Sequence, residues 1–597
     1  MGFLWRQAPD FGIQSVHALL HGGKLRQNYW DSCLSADRTS TFIDEIMRKI
    51  ELNENYTLFL SPDIKESEEY IVALWRKWLN KCQIFDIFTP VYLDGKGEIF
   101  YHGGGITPFE HLPYPEAQAQ LLRNQYPKPR VVDFSPLWVF VISNKVLKDL
   151  GDPPEMDKNI YTHADYVVRA RKRGYQVKVC PDIRLTYTQV YTINEEKVEW
   201  INKLKKSRKQ FKINHSVWLN KQYRLPCVFH THTGYPGGYC LHARSLIKKL
   251  AEKKIRIHYK FIGGCNDDEP LADDFLVDDL RENMGSMRLP QIVLSTGLNC
   301  FSNSGDYKIG FTTTEVDGIP KDWVRVLNEM DEVWTTSEFA KAGFISSGVK
   351  PPVINMLEGV DPEYFHPDIV PFENNVKKKF LFIANFAWGR RKGINELFEA
   401  FSKEFSYKED VALVIKALPS YHGMDIKKDI QQLYHRGDSA PILVWDTVLP
   451  NYLLGGFYTA GHCLLVPTRG EGFGLPPLEA LACGIPVITT GYSGHMDYLK
   501  KDGKPLPGVE LINYKIAKFD GSDSIYYHGF NWALPSISHL RQLMRKVYTD
   551  YDKYKSDAME TSKYIRRAWS WDAISDLVIK RLQDIHEGKG IKPLNKK

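Results

Sequence analysis

The nine cysteines of this 597-residue sequence are scattered and include no C-x-x-C pair. Neither a disulfide framework nor a cysteine-rich zinc site is therefore indicated. No apolar run approaches the roughly 20 residues needed to span a bilayer. The opening residues, MGFLWRQAPDFG, lack the continuous apolar stretch of a secretory signal. A reducing cytosol is the expected compartment. The formal charge of +6 is small for this length, so nucleic acid is not an expected partner. What remains is ordinary: 43% hydrophobic and 25% charged residues describe a soluble globular chain with several cores. At this length roughly three to four domains are expected.

The densest pattern is Pro467 to Thr490, PTRGEGFGLPPLEALACGIPVITT. Gly470, Gly472 and Gly474 let a ligand approach the main chain closely. Pro476 and Pro477 suit the first turn of a helix, where a missing N–H costs nothing. Leu478 to Cys483 reads as a short helix capped by Gly484, and Ile485 to Thr490 as a buried strand. Such a loop points free N–H groups and the positive end of a helix dipole at an anion, usually a phosphate. A phosphate would repel Glu471 and Glu479, which serve better as acceptors for sugar hydroxyls, Glu479 for a ribose and Glu471 for a transferred sugar. An anion cradle flanked by two hydroxyl acceptors describes a nucleotide-sugar site.

This segment resembles the donor-site signature of retaining GT-B glycosyltransferases, the large group 1 (family four-like) family that includes sucrose synthase-like and bacterial mannosyltransferase enzymes. The resemblance places Glu471 near the donor sugar, Glu479 near the ribose, and the amides of Gly472, Phe473, Gly474 and Leu475 near sugar and phosphates. Lys392, in Arg390-Arg391-Lys392-Gly393, matches the family's diphosphate lysine. The family's arginine has no counterpart at the expected place, where Phe386 stands, so Arg390 or Arg391 would substitute. Gly237 and Gly238 match the glycine loop beneath the donor phosphates. Glu315, after the strand-like FTTT, is expected at the end of a strand facing the cleft. Catalysis is thus expected to centre on Glu471, Lys392 and Glu315, with no metal or other cofactor in this module.

From Arg224 onward strand-like and helical runs alternate, the pattern of doubly wound parallel sheets. LPCVFHTH opens one half and KKKFLFIANF the next, giving the two Rossmann-like lobes of a GT-B fold, residues 216–370 on the acceptor side and 371–597 on the donor side. SWDAISDLVIKRLQDI resembles the final helix, which in that fold crosses back to the first lobe.

Residues 1–215 read differently. Over about residues 56–190 they resemble the later part of an inverting GT-A (family two-like) glycosyltransferase, here shortened and divergent. Its metal-binding Asp-x-Asp would fall on Ser61-Pro62-Asp63, leaving only Asp63 for a divalent ion that wants several oxygen ligands. The family's catalytic Glu-Asp aligns with Thr162-His163, while Asp165 and Arg169 match the residues that follow. Imidazole as a side chain titrates near neutrality, so His163 could accept a proton. An active module would use Mn or Mg at Asp63; an inactive one would bind and position glycan. The basic run Lys197 to Lys212, with Trp200, Leu204 and Phe211 for packing, is either a solvated linker helix or a contact to an anionic membrane surface.

The chain is therefore expected to be an α/β, two-module, cytoplasmic glycosyltransferase that takes a nucleotide-sugar donor and a glycan or lipid-linked glycan acceptor, with peripheral membrane contact as a further option. Two other classes stay open. One is a glycan-binding protein on inactive transferase folds. The other is a metal-dependent hydrolase using His230 and His232, which share one face of a strand.

Overall fold

A computed structural model describes residues 47–590 apart from 62–63, 81–85, 94–98, 102–103, 107–112, 116–129, 154–159, 187–196, 234–236, 263–287, 373–375, 377, 419–425, 434–436, 447–448, 450 and 521–524. The chain forms two compact units, and their boundary falls between Arg224 and Leu225. The joint expected near residue 215 lies inside a helix that continues to Lys221.

The first unit carries a seven-stranded mixed sheet in the order β1-β2-β8-β3-β9-β7, with β4 beside β3. Its strands are β1 (Arg48–Asn53), β2 (Tyr56–Leu60), β3 (Ile87–Leu93), β4 (Ile99–Tyr101), β7 (Arg130–Val132), β8 (Val139–Ser143) and β9 (Val177–Thr186). A small separate hairpin pairs β5 (Gly104–Ile106) with β6 (Pro113–Pro115). β3 and β9 run parallel, whereas β1/β2, β2/β8, β3/β8 and β7/β9 are antiparallel. The helices are α1 (Glu68–Leu79), α2 (Asn144–Leu150), α3 (Ile160–Lys172) and α4 (Lys197–Lys221). Ile71, Trp75 and Trp78 of α1 and Tyr161, Ala164 and Val168 of α3 recur at three- and four-residue spacing, so each helix turns one apolar stripe onto the sheet core. In α4, Phe211 joins that core; the side chains of Trp200 and Leu204 lie outside the described residues.

The second unit holds two six-stranded sheets. The first runs β11-β10-β12-β13-β14-β15, built from β10 (Arg224–Thr231), β11 (Ile255–Phe261), β12 (Pro290–Leu294), β13 (Tyr307–Phe311), β14 (Glu332–Thr335) and β15 (Val353–Asn355). Pairing is parallel from β10 through β15. Its helices include α5 (Gly238–Glu252), α6 (Lys321–Leu327) and α7 (Glu338–Ser347).

The other sheet runs β18-β17-β16-β19-β20-β23 and is parallel throughout. It consists of β16 (Phe380–Ala387), β17 (Val411–Leu418), β18 (Ile442–Trp445), β19 (Cys463–Val466), β20 (Val487–Thr490) and β23 (Val509–Ile512), with the short β21 (Lys500–Lys501) and β22 (Lys504–Pro505) forming a hairpin before β23. The helices are α8 (Ile394–Glu404), α9 (Ile426–Leu433), α10 (Asn451–Thr459), α11 (Leu475–Ala482), α12 (Met496–Leu499), α13 (Ile537–Thr549) and α14 (Tyr551–Ala568). Alternation along β16 explains its largely apolar sequence, broken only by Asn385: Phe380, Phe382, Ala384 and Phe386 face one core, with α8 and α13, while Leu381 and Ile383 face the other, with α10 and α11. A second hairpin, β24 (Tyr514–Lys518) with β25 (Asn531–Pro535), projects from this half.

The chain then returns. At Ser570 it crosses to the first sheet's side, where Val360 N donates to Trp569 O at 2.8 Å and Val360 O accepts from Trp571 N at 3.0 Å. The last helix, α15 (Trp571–His586), lies along α5. Arg581 of α15 pairs with Glu332, which is fully buried and also accepts from Trp334 Nε1 at 2.8 Å. This contact ties the two halves together, because a buried carboxylate left without its cation is strongly unfavourable.

Candidate functional site

In a doubly wound sheet, ligands bind beyond the carboxyl ends of the strands where strand order reverses. In the second half that point lies between β16 and β19, because β17 and β20 depart to opposite sides. The loop after β16 carries Arg390, Arg391 and Lys392 in a single 3-10 turn, and the loop after β19 carries Gly470 to Gly474. Topology alone therefore brings the basic turn and the glycine loop together. They line one cavity of about 290 Å³, with Gly237, Gly238 and Glu315 on its other wall.

Lys392 Nζ lies 2.8 Å from both carboxylate oxygens of Glu471. Arg391 donates to Gly470 O at 2.7 Å and Glu471 Oε2 at 3.3 Å, and sits 3.5 Å from Glu315 Oε1. Arg390, by contrast, is exposed. Burial works to raise the Glu471 pKa, but Lys392 and Arg391 outweigh it and hold the carboxyl at about 2. Lys392 is pulled below its ordinary value, by burial first and by the neighbouring Arg391 second.

The loop is fixed from behind. Glu471 N donates to Ser493 Oγ at 2.8 Å, and Gly494 N to Glu471 O at 2.9 Å. A Cβ on Gly470 would stand 2.0 Å from Glu315 O, so glycine alone permits this approach of two backbones. Gly474, at φ +87°, forms the N-cap of α11, which begins at Leu475 rather than Leu478. Pro476 and Pro477 thus lie inside the first turn and have no N–H to offer. The amides left for an anion are those of Gly472, Phe473, Gly474 and Leu475.

Glu479 sits differently. Its Oε2 accepts from Tyr458 Oη at 2.6 Å, and Tyr458 accepts from Asn385 Nδ2 at 2.9 Å. Burial raises the carboxyl to about 7, against the lowering effect of the Tyr458 hydrogen bond and of Lys416. Burial also brings Lys416 down to about 8. Asn385 and Lys416 are direct neighbours across β16 and β17. None of Asn385, Lys416 and Tyr458 is marked by a local motif, and all three were missed by sequence reasoning.

On the facing wall Gly237 is the N-cap of α5, and Tyr239 Oη lies 3.1 Å from Thr312 Oγ1. Thr336 Oγ1 donates to Gly472 O at 3.0 Å, joining the two lobes at the loop itself. Glu315 does not end a strand: β13 stops at Phe311, and Thr314 Oγ1 turns back onto Gly318 O at 3.0 Å, leaving Glu315 in a loop. The Tyr527 hydroxyl donates to Glu315 Oε2.

The remaining candidates occupy other settings. His230 is buried, with Nε2 3.2 Å from Phe261 O and Nδ1 3.2 Å from Gln291 Nε2. Burial lowers its pKa to about 4. His232 follows the end of β10. Among the described residues no three His, Cys, Asp or Glu side chains gather as metal ligands. Asp63 lies outside the described residues. His163 is buried in α3, where its Nδ1 accepts from Leu137 N at 3.1 Å. Asp165 accepts from Arg169 Nε at 2.8 Å and lies 2.7 Å from His215 Nε2. Burial opposes its ionisation, but those two partners prevail and lower its pKa.

Comparison with known proteins matches residues 377–512 to the family described as glycosyl transferases group 1, so the chain carries a glycosyltransferase domain there. A lipopolysaccharide core biosynthesis mannosyltransferase, LpsB of Rhizobium meliloti (strain 1021), is 25% identical over 176 residues, which cover 28% of this chain and 46% of the relative. The match thus spans about half of that enzyme's length. An uncharacterized protein of Sulfolobus islandicus rod-shaped virus 1 is 22% identical over 289 residues, 46% of this chain and 76% of its own. Among solved structures, sucrose-phosphate synthase from Thermosynechococcus elongatus aligns over 60% of this chain and 99% of its own at 16% identity and TM-score 0.42. HepE of Anabaena in complex with UDP-glucose aligns over the same shares at 14% identity and TM-score 0.42. No helix among the described residues is long and apolar enough to cross a membrane.

Proposed function

We propose that this protein transfers a hexose or deoxyhexose from a nucleoside-diphosphate sugar to a glycan or lipid-linked glycan, with retention at the anomeric carbon. The observation that carries this reading is the Lys392–Glu471 contact on the glycine loop at the N-terminus of α11. When the bond to the sugar breaks, negative charge grows on the departing diphosphate oxygen. Groups already aimed at that position stabilise the transition state more than the bound substrate. The Lys392 ammonium, the Arg391 guanidinium and the loop amides are such groups. Burial and Arg391 destabilise the charge on Lys392, and an arriving diphosphate would stabilise it. No metal is required by this scheme. Glu471 then accepts hydroxyls of the donor sugar and Glu479 those of the ribose.

For the first unit we favour a glycan-positioning role on a GT-A-like remnant. His163 and Asp165 are already engaged in structural bonds, which supports loss of activity there. If the module were active, Mn or Mg at Asp63 would be needed. A tethered glycan-binding module raises the local concentration of a shared acceptor. Contact of α4 with an anionic membrane would serve a lipid-linked acceptor.

The test is donor turnover by the full chain with UDP-glucose, UDP-galactose and GDP-mannose, the last because of the likeness to a mannosyltransferase, each with and without a strong chelator. Lys392→Ala and Glu471→Ala should each lower turnover at least about 100-fold, the scale of losing one transition-state contact. Unchanged turnover in both variants would remove the site assignment. No hydrolysis or transfer by the native chain would favour a non-catalytic glycan-binding protein.

A further inference from the structure

The Arg391 guanidinium stands between two carboxylates, Glu471 at 3.3 Å and Glu315 at 3.5 Å. Glu315 has a second claimant, because the Tyr527 hydroxyl donates to its other oxygen. Glu315 belongs to the first lobe, whereas Tyr527 ends a 3-10 turn, Ile525–Tyr527, between β24 and β25 of the second.

That hairpin is fastened on both sides. Towards the glycine loop, Ala533 N donates to Arg469 O at 2.9 Å, and the Arg469 guanidinium lies 4.8 Å over the Trp532 ring. Towards the first lobe, Asn531 N and Nδ2 donate to the Asp317 carboxylate at 2.8 and 2.7 Å. Val316 packs against Phe519 and Trp532. Tyr527 therefore rides on a platform held by both loops it would register, and its hydroxyl is not left to the choice of an exposed side chain.

Released from Tyr527, the Glu315 carboxylate would find the Arg391 guanidinium as its nearest strong donor. Shortening that long contact would make a charge-assisted pair and draw Arg391 away from an incoming anion. We propose that Tyr527 is a positioning residue that holds Glu315 off Arg391 and so keeps the Arg391 guanidinium directed at a nucleoside diphosphate. This rests on the reading of the cleft as a diphosphate site.

Calorimetric titration of the full chain with UDP and with GDP tests it, using Tyr527→Phe, Glu315→Gln, the double variant and Lys392→Ala. Tyr527→Phe should weaken the bound nucleotide about tenfold and raise the donor KM more than it lowers kcat. In the double variant affinity should return to within about twofold of Glu315→Gln alone, because a neutral amide gains no ion pair with Arg391. A merely structural role for Tyr527 would show no such rescue. Native-like affinity in Tyr527→Phe, or a double variant as weak as Tyr527→Phe, would overturn the proposal. If Lys392→Ala also binds like the native chain, the diphosphate reading fails; if the native chain binds neither nucleotide, both fail.

Discussion

Two glutamates on one wall of the cleft keep different company: on one side Glu471 meets Lys392 and Arg391, and on the other Glu479 meets Tyr458, with Lys416 as its cationic neighbour. Both glutamates are buried, and desolvation pushes both pKa values up. One nevertheless settles at about 2 and the other at about 7. Two cations in contact outweigh burial, whereas a hydroxyl donor and one lysine weakened by its own burial do not. The first side is thus built to exchange charge with an anion. The second is built to hold a proton that a sugar hydroxyl could share.

The comparison breaks most visibly at Lys392. Lys392→Ala should destabilise the fold by about 3 kcal/mol, the lower end of the cost of removing one partner from a buried pair, since Arg391 still faces Glu471. Urea unfolding at neutral pH measures this. A loss below about 1 kcal/mol would mean that water reaches the pair and that Glu471 is not held by contact with its cations.

The cationic side was largely legible in the sequence, because Lys392, Glu471 and the glycines sit in two short loops with strong local signals. Choosing Arg391 over Arg390 was not, since only the 3-10 turn after Gly389 settles which guanidinium turns inward. The Glu479 side was hardly legible at all. Asn385, Lys416 and Tyr458 come from two strands and a helix spread over 74 positions, and meet only through the β16/β17 register and the packing of α10. Glu315 shows the opposite failure: FTTT has strand propensity, yet the Thr314 hydroxyl bonds its own loop and the strand stops early. His163 had the chemistry of a base but a helical position among Tyr161, Ala164 and Val168 that faces the core. A local pattern fixes what a residue can do, while burial decides whether it does it.

At Glu479 the expected effect is of similar size and has the opposite sign. Its pKa rises from 4.5 to about 7 on folding, so its contribution to stability is intact below pH 4.5 and lost as the pH climbs through 7. The loss should approach about 3 kcal/mol once the pH is above both values. Glu471 titrates below 4.5 and does not change in this window. Glu479→Gln should therefore be more stable than the native chain by about 3 kcal/mol at pH 8 and nearly equal to it at pH 4.5. Unfolding free energies across that range decide it, and parallel pH profiles for the two proteins would show that Glu479 is not raised.

Tyr458→Phe separates burial from hydrogen bonding at the same carboxyl. The Tyr458 hydroxyl lowers the Glu479 pKa and accepts from Asn385, so its loss leaves one buried acceptor and one buried donor short of a partner. A cost of about 1 kcal/mol is expected, together with an upward move of the Glu479 titration. The pH at which stability falls should then lie above that of the native chain, whereas Glu479→Gln should show no such fall with or without the tyrosine. If the midpoint instead moved down, Lys416 rather than Tyr458 would be setting the state of Glu479, and the two glutamates would differ in the distance of their cations rather than in their kind of partner.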